Sequence, residues 1–138
     1  MKLLFDDPHF DLKGATRAYR DLEKTGGWSR NFMGETMTKG FAVGGVGRVS
    51  RVKREEISHP RHVQEVVNHN IDLQPGLYRS RNIYSGGWHN EENGEVYVEP
   101  SENIHDREEA IAAARARNQI SIWDVEKGEE VNTGGTGE

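Results

Sequence analysis

The sequence predicts a single α+β domain in which a mostly antiparallel β-sheet carries about three helices on one face. Helical and strand-like patterns follow one another in the order β-α-ββ-α-ββ-α-ββ, which is typical of layered α+β domains. An Asn-Gly pair between two apolar runs indicates a β-hairpin. The length of 138 residues is that of one domain, and we find no segment long enough to be a linker.

Three segments have the apolar periodicity of amphipathic helices. The first follows Asp11, a residue type that caps helices, and ends before the glycine pair at 26–27. The second spans 58–73 and has Pro60 in its first turn, where a missing N–H costs little. The third spans 105–118, with acids in its first turn and arginines in its last, as the helix dipole favours.

Strand-like segments fill the rest of the chain, and turn residues divide them. The glycine-dense run at 44–47 indicates a strand bulge or a close backbone approach. Gly26-Gly27-Trp28 recurs as Gly86-Gly87-Trp88, although three residues do not establish a repeat. The predicted strand regions are 1–5, 28–52 with a turn at 34–36, 77–98 with a type I′ turn at Asn93-Gly94, and 120–131 with a turn at 126–129.

Length and composition also predict the limits of the domain and its surroundings. We expect the folded domain over 1–131 and a flexible polar tail over 132–138. The chain has no cysteine, which excludes disulfides, thiolate zinc sites and cysteine nucleophiles and fits a reducing compartment. No apolar run approaches the ~20 residues of a membrane helix, and none resembles a signal peptide. We therefore expect no membrane partner.

Charge is distributed unevenly along the chain. Residues 1–54 hold 11 Lys and Arg against 6 Asp and Glu, whereas residues 55–138 hold 7 against 17. A basic segment at 48–54 offers a contact for phosphates or for an acidic protein, and the acidic half offers the opposite surface. The alternative is that these charges intermix on folding. The predicted partner-binding residues are Arg48, Arg51, Lys53, Arg54, Trp28, Trp88, Glu91, Glu92 and Glu95.

The three tryptophans all lie in predicted strands. Such residues are mostly found in the core or on a sheet face, and this is the expectation for Trp28, Trp88 and Trp123. An exposed tryptophan would instead indicate a partner-binding hot spot.

No motif has the spacing of a catalytic, cofactor or metal site. His59, His62 and His69 lie on or beside the second helix, but nothing in the sequence supplies the other ligands that a metal needs. The glycine-dense run lacks the spacing of dinucleotide and phosphate-binding loops. We expect no cofactor, metal or catalytic residue. A metal-dependent nuclease or nucleotide-modifying enzyme that uses His62, His69 or His89 stays open as an alternative.

Several motifs taken together resemble a group of phage proteins. They are Gly26-Gly27-Trp28, the run GETMTKGFAV at 34–43, Gly86-Gly87-Trp88, the run VYVEPSE at 96–102 and the stretch AIAAARARNQISIWDVEKGEEV at 110–131. The set is similar to small uncharacterised proteins of actinobacterial phages and integrative elements, over most of the chain beyond its first 24 residues. The resemblance implies no activity or catalytic residue. It implies an accessory protein in the cytoplasm of a bacterial host.

These observations predict a non-enzymatic, phage-encoded accessory protein that binds and modulates a host macromolecule, in host takeover or counter-defence. A host protein is the expected partner, and a nucleic acid bound through 48–54 is the alternative. A second alternative is a virion or capsid-associated protein whose exposed strand edges pair between copies. The sequence leaves homo-oligomerisation open.

Overall fold

A computed structural model describes residues 7–137, so the strand predicted at 1–5 lies outside the described residues. The predicted α+β class is confirmed. The elements are α1 (Leu12–Thr25), β1 (Gly27–Arg30), β2 (Phe41–Val43), β3 (Ser50–Lys53), a 3-10 turn (Arg54–Glu56), α2 (Pro60–Asp72), a second 3-10 turn (Leu77–Arg79), β4 (Ile83–Asn90), β5 (Glu95–Ile104), α3 (Arg107–Ala116), β6 (Ser121–Asp124) and β7 (Glu129–Asn132).

All strands belong to one antiparallel sheet, in the order β1-β4-β5-β2-β6-β7. The long β4–β5 hairpin forms its centre, and β3 and β2 pair with the two ends of β5. The pairing implied by the predicted turn at 34–36 is wrong, because β1 pairs with β4 and β2 pairs with β5 and β6. The segment 31–40 therefore connects strands that lie on opposite sides of the central hairpin.

Local signals start and end the helices largely as predicted. The Asp11 carboxylate accepts a 2.8 Å hydrogen bond from the Gly14 N–H at the start of α1. Asp106 does the same for the Glu109 N–H at the start of α3, at 2.9 Å. The N-cap of α2 is His59, one residue beyond Ser58, where the predicted helical segment begins. Within residues 7–137, no helix combines the length and the apolar character needed to cross a membrane.

Both hairpin turns use four-residue loops, 91–94 and 125–128. In the first, the Gly94 N–H donates to the Asn90 carbonyl, and Gly94 has a positive φ of 72°. Gly128 has the same role in the second, with a φ of 63°. The predicted type I′ turn is wrong, because that turn needs two successive residues with positive φ and Asn93 does not have it.

The helices cover one face of the sheet and form two apolar clusters there. α1 and α2 pack on β1, β4 and β5 through residues that include Leu22, Trp28 and Val98. α3 packs on β2 and β6, where the small side chains of Ala110 and Ala114 are fully buried. Side chains alternate along strands, and none of the helices within residues 7–137 packs its apolar side on the opposite face of the sheet.

The segment predicted as a flexible tail is packed against the domain, so the predicted boundary at 131 is wrong. β7 extends to Asn132, and Thr133 is buried. The Thr133 N–H donates to the Ile120 carbonyl, and the Gly137 N–H donates to the Asn118 carbonyl at 2.9 Å. These bonds hold 133–137 beside the loop that precedes β6.

The glycine-dense run forms the connection between β2 and β3, so the bulge interpretation is wrong and the close-approach interpretation is confirmed. A Cβ atom on Gly47 would lie 2.6 Å from the Pro100 ring and 2.7 Å from the Leu77 side chain. Only glycine lets this loop pass so close to β5 and to the 3-10 turn after α2.

The N-terminal end of the described chain is linked to the end of α2 through a histidine between two carboxylates. His9 Nδ1 lies 2.6 Å from Asp7, and His9 Nε2 lies 2.6 Å from Asp72. The hydrogen bond with Asp72, followed by that with Asp7, raises the pKa of His9 above its ordinary value of 6.5. The protonated imidazole can donate to both carboxylates at once.

We expect this link to make stability fall as pH rises from about 6.5 through the folded-state pKa of His9. A raised folded-state pKa means that the contribution of His9 is complete below about 6.5, the unfolded value, and is lost as pH rises through the folded pKa. NMR titration should show a raised His9 pKa that falls more in Asp72→Asn than in Asp7→Asn. Urea unfolding of His9→Gln should lack the corresponding pH dependence. Equal pKa values of His9 in Asp72→Asn and wild type would contradict the assignment.

Candidate functional site

The side of the sheet that faces away from the helices presents two tryptophans to solvent, and Thr36 and Met37 of the β1–β2 connection border it. We call this side the open face. Trp88 on β4 and Trp123 on β6 are each 45% exposed, so of the two expected places, core or sheet face, both take the sheet face. The register places them on the same side, because Trp88 is opposite Tyr97 and Trp123 is opposite Ala42. The open face includes Ser29, Ala42, Gly86, Trp88, Glu99 and Trp123.

The two Gly-Gly-Trp segments pair with each other in β1 and β4. Trp28 lies opposite Gly87, and Gly27 lies opposite Trp88. Neighbouring residues of a strand point to opposite faces, so Trp28 covers Gly87 on the helix side and Trp88 stands on the open face. Trp28 is only 5% exposed, and its indole N–H donates to the Ser85 hydroxyl. The prediction that Trp28 binds a partner is wrong, because its side chain belongs to the core.

A groove of about 1100 Å³ extends over the open face between the two exposed tryptophans. Its floor includes the small residues Ser29, Ala42 and Gly86, and Trp88 and Trp123 line it from β4 and β6. Trp88 pairs with Tyr97 of β5, and Trp123 is aligned with Asn103 of β5 through Ala42 of β2. Tyr97 and Asn103 are six residues apart, which corresponds to roughly 20 Å along the strand. The groove is therefore long enough for an extended peptide segment.

Glu99 lies in the floor of the groove, beside a gap in the side chains of the sheet. One row of the open face consists of Ser29, Gly86 and Glu99 on three neighbouring strands. Burial raises the pKa of the Glu99 carboxyl, and no charge or hydrogen bond from a described residue lowers it. The Oγ atom of Ser29 is buried and has no hydrogen-bond partner among residues 7–137. A Cβ atom on Gly86 would have only backbone carbonyl oxygens within 4 Å, so this part of the open face is empty of side chain.

An aromatic and cationic cluster lies where β3 joins the sheet. Trp88 and Tyr97 are in edge-to-face contact, with ring centroids 4.9 Å apart and planes at 80°. The Arg51 guanidinium lies 4.9 Å from the centre of the Tyr97 ring, within the range of a cation–π contact. Arg51 and Trp88 are both exposed, so two of the predicted partner-binding residues share one aromatic neighbour.

The predicted basic and acidic segments meet at this same end of the sheet. β3 pairs with the start of β5, which places Lys53 opposite Glu95. The acidic tip of the β4–β5 hairpin carries the exposed Glu91 and Glu92. Arg48 is exposed in the loop before β3, whereas Arg54 is half-buried and donates to the Ile57 carbonyl at 2.5 Å. The basic and acidic residues therefore intermix at this end of the sheet, in agreement with the alternative interpretation of the uneven charge along the chain.

The histidines that the enzyme alternative requires lie apart from the groove. His59 and His62 are neighbours at the start of α2, with ring centroids 6.2 Å apart, and each accepts a hydrogen bond from a nearby backbone N–H. His69 is exposed on α2, and His89 lines a second cavity with Tyr19. In the described part of the chain, no three His, Cys, Asp or Glu residues are grouped as metal ligands.

Of the described residues that line the groove, only Trp28 and Trp88 were among the predicted site residues. Trp123 was expected in the core or on a sheet face, as tryptophans in strands usually are, and nothing in the sequence chose between the two. Val96 and Val98 of β5 point towards the helices, so the alternation of side chains places Glu99 on the open face. That sequence pattern could have indicated the orientation of Glu99. Ser29 carried no signal, since its position depends on the pairing of β1 with β4.

A comparison of the chain with protein-family models, with curated proteins and with solved structures gave no match. A proposal for its function therefore rests on the groove, its tryptophans and its charges.

Proposed function

We propose that this protein is a non-enzymatic binding protein whose open face contacts a protein partner. The observation that carries the proposal is the pair of half-exposed tryptophans, Trp88 and Trp123, on the one sheet face that no helix covers. Tryptophan and tyrosine are enriched at the centres of protein interfaces, where burying their large rings contributes most to affinity. An exposed aromatic groove of this length is typical of an interaction site.

The charges of the groove favour a protein over a nucleic acid. Glu99 and Glu130 line it, and the Asp21 carboxylate is paired with Arg30 at 2.6 Å. No unpaired cation lines it among the described residues, so phosphates would meet carboxylates there. The cluster of Arg51 with Tyr97 supports the nucleic-acid alternative at the β3 end, because bases stack on such platforms.

The proposed context is the one that the resemblance implies. A phage-encoded accessory protein would use the open face to hold and modulate a host protein in the bacterial cytoplasm, in host takeover or counter-defence. The alternative of a virion component needs strand edges that pair between copies. The outer strands β1, β3 and β7 have four residues each, and short edge strands make such pairing less favourable.

The proposal predicts that substituting the two exposed tryptophans abolishes partner capture. Trp88→Ser with Trp123→Ser should weaken binding at least about thirty-fold, because even one hot-spot residue, a class enriched in tryptophan, contributes roughly 2 kcal/mol or more. The measurement is affinity capture from an actinobacterial lysate on immobilised protein, with mass spectrometry and then binding curves for the purified partner.

The matched control removes similar exposed apolar surface from the helix layer. Leu12→Ser with Leu73→Ser changes residues that are 42% and 39% exposed, and capture should be unchanged. The proposal fails if no stoichiometric partner is recovered or if both double variants lose it equally. Capture that disappears after nuclease treatment and falls steeply with salt would favour the nucleic-acid alternative instead.

A further inference from the structure

We infer that Arg51 and Trp88 form a recognition site for an acidic residue and its apolar neighbour in an extended segment of the partner. The inference rests on the proposed function and names the chemistry of that segment. Arg51 lies opposite Tyr97, and Tyr97 lies opposite Trp88, so the three side chains form one row across β3, β5 and β4 on the open face. Both ends of this row are exposed to solvent.

Tyr97 holds the row in place. Its hydroxyl accepts a 2.6 Å hydrogen bond from the Asn93 side chain. Its ring contacts both the Trp88 indole and the Arg51 guanidinium, each at 4.9 Å from the ring centre. A guanidinium that is already positioned loses less side-chain entropy when it binds. Arg51 therefore enters a complex at a smaller entropic cost than a surface arginine that contacts no ring.

The N–H donors of Arg51 are available to a carboxylate of another molecule. Among residues 7–137, no carboxylate forms an ion pair with its guanidinium, and no oxygen accepts a hydrogen bond from it. The planar fork of N–H groups matches the two oxygens of a carboxylate. A glutamate or aspartate of the partner would supply the acceptor that the described part of this chain does not.

The indole in the same row determines which residue stands beside that acid. Successive side chains of an extended segment point to opposite sides, so a segment over β5 that directs an acid towards Arg51 directs the next residue towards Trp88. The half-exposed indole favours an apolar side chain there. Glu99, two residues further along β5, makes a second acid unfavourable because like charges repel. A single carboxylate therefore fits this end of the open face better than the continuous charge of a nucleic acid.

The experiment compares a blocked peptide, acetyl-Gly-Ser-Glu-Leu-Ser-Thr-Gly-amide, with the same peptide carrying glutamine in place of glutamate. Binding to the full chain is followed by the NMR signal of the Trp88 indole N–H. We expect the glutamate peptide to bind about five-fold more tightly, the upper end of what an exposed ion pair contributes. Arg51→Gln should bind both peptides alike. Serine in place of leucine should weaken the glutamate peptide at least about five-fold, because it removes the apolar contact.

Arg48→Gln is the matched control, because it removes another exposed arginine from the loop before β3. Its preference for the glutamate peptide should equal that of the wild type. Equal binding of the two peptides to the wild type, no binding of either, or equal loss of the preference in both arginine variants would overturn the inference. Tighter binding of a seven-nucleotide oligothymidine than of the glutamate peptide would overturn it in favour of a nucleic acid. If the tryptophan variants still lose a captured protein in those cases, the proposed function stands without this site.

Discussion

Replacing Asn70 by alanine is expected to destabilise the protein by about 3–4 kcal/mol, because it leaves several buried polar groups unpaired. Asn70 lies on α2 and has no exposed surface. Its Nδ2 donates to the Arg48 carbonyl at 3.0 Å and to the Ser50 hydroxyl at 2.8 Å. Its Oδ1 accepts from the Tyr78 hydroxyl at 2.6 Å. One side chain thus joins α2 to the start of β3 and to the 3-10 turn.

The measurement is urea unfolding of Asn70→Ala beside a double-mutant cycle with Tyr78→Phe. Burial raises the pKa of Tyr78, so its hydroxyl stays protonated and keeps its need for an acceptor. The double variant should be less destabilised than the sum of the two single variants, because the second change removes the hydroxyl that the first leaves unpaired. His69→Ala, an exposed neighbour on α2, should change stability by less than about 0.5 kcal/mol. Strict additivity in the cycle would contradict the network.

Gly87→Ala should destabilise the protein by about 2–3 kcal/mol through overpacking. A Cβ atom on Gly87 would lie 2.3 Å from the ring of Trp28, which is held between the sheet and the helix layer. Either the indole or the β1–β4 pair must then move. Unfolding curves give the free energy, and near-UV circular dichroism reports on the altered environment of the buried indole.

Gly86→Ala is the matched control, because it makes the same chemical change one residue away on the open face. Its Cβ would have its nearest contact at 3.3 Å, with the Glu99 carbonyl. We expect a change of less than about 1 kcal/mol, partly offset by the better strand propensity of alanine. Similar losses in both variants would show that Trp28 does not pack on Gly87 as described.

The helices were predictable because their signals are local. Asp11 and Asp106 cap backbone N–H groups three residues away, and apolar periodicity lies within each segment. The β4–β5 hairpin was predictable in place but not in turn type, since the backbone angles of Asn93 depend on how many residues close the loop. The pairing predicted around 34–36 does not form, because β1 pairs with β4 and β2 with β5. The docking of 133–137 was missed because a polar composition says nothing about which carbonyls, such as those of Asn118 and Ile120, are available to it.

The candidate site was less predictable than the fold. The basic and acidic segments were visible as runs of like charge, but the pairing of β3 with β5 placed Lys53 opposite Glu95. Glu99 and Trp123 come together on one face only through three neighbouring strands, β5, β2 and β6. Such contacts join residues far apart in the chain, and no local pattern specifies them.

The recurring Gly-Gly-Trp segments show this division most clearly. Composition and periodicity alone determined that both lie in strands of an α+β domain, with small residues beside each indole. Only the tertiary structure decided that the two strands pair with each other, offset so that each tryptophan faces a glycine. Because adjacent residues of a strand point to opposite faces, that offset buries Trp28 beneath the helices and leaves Trp88 in water.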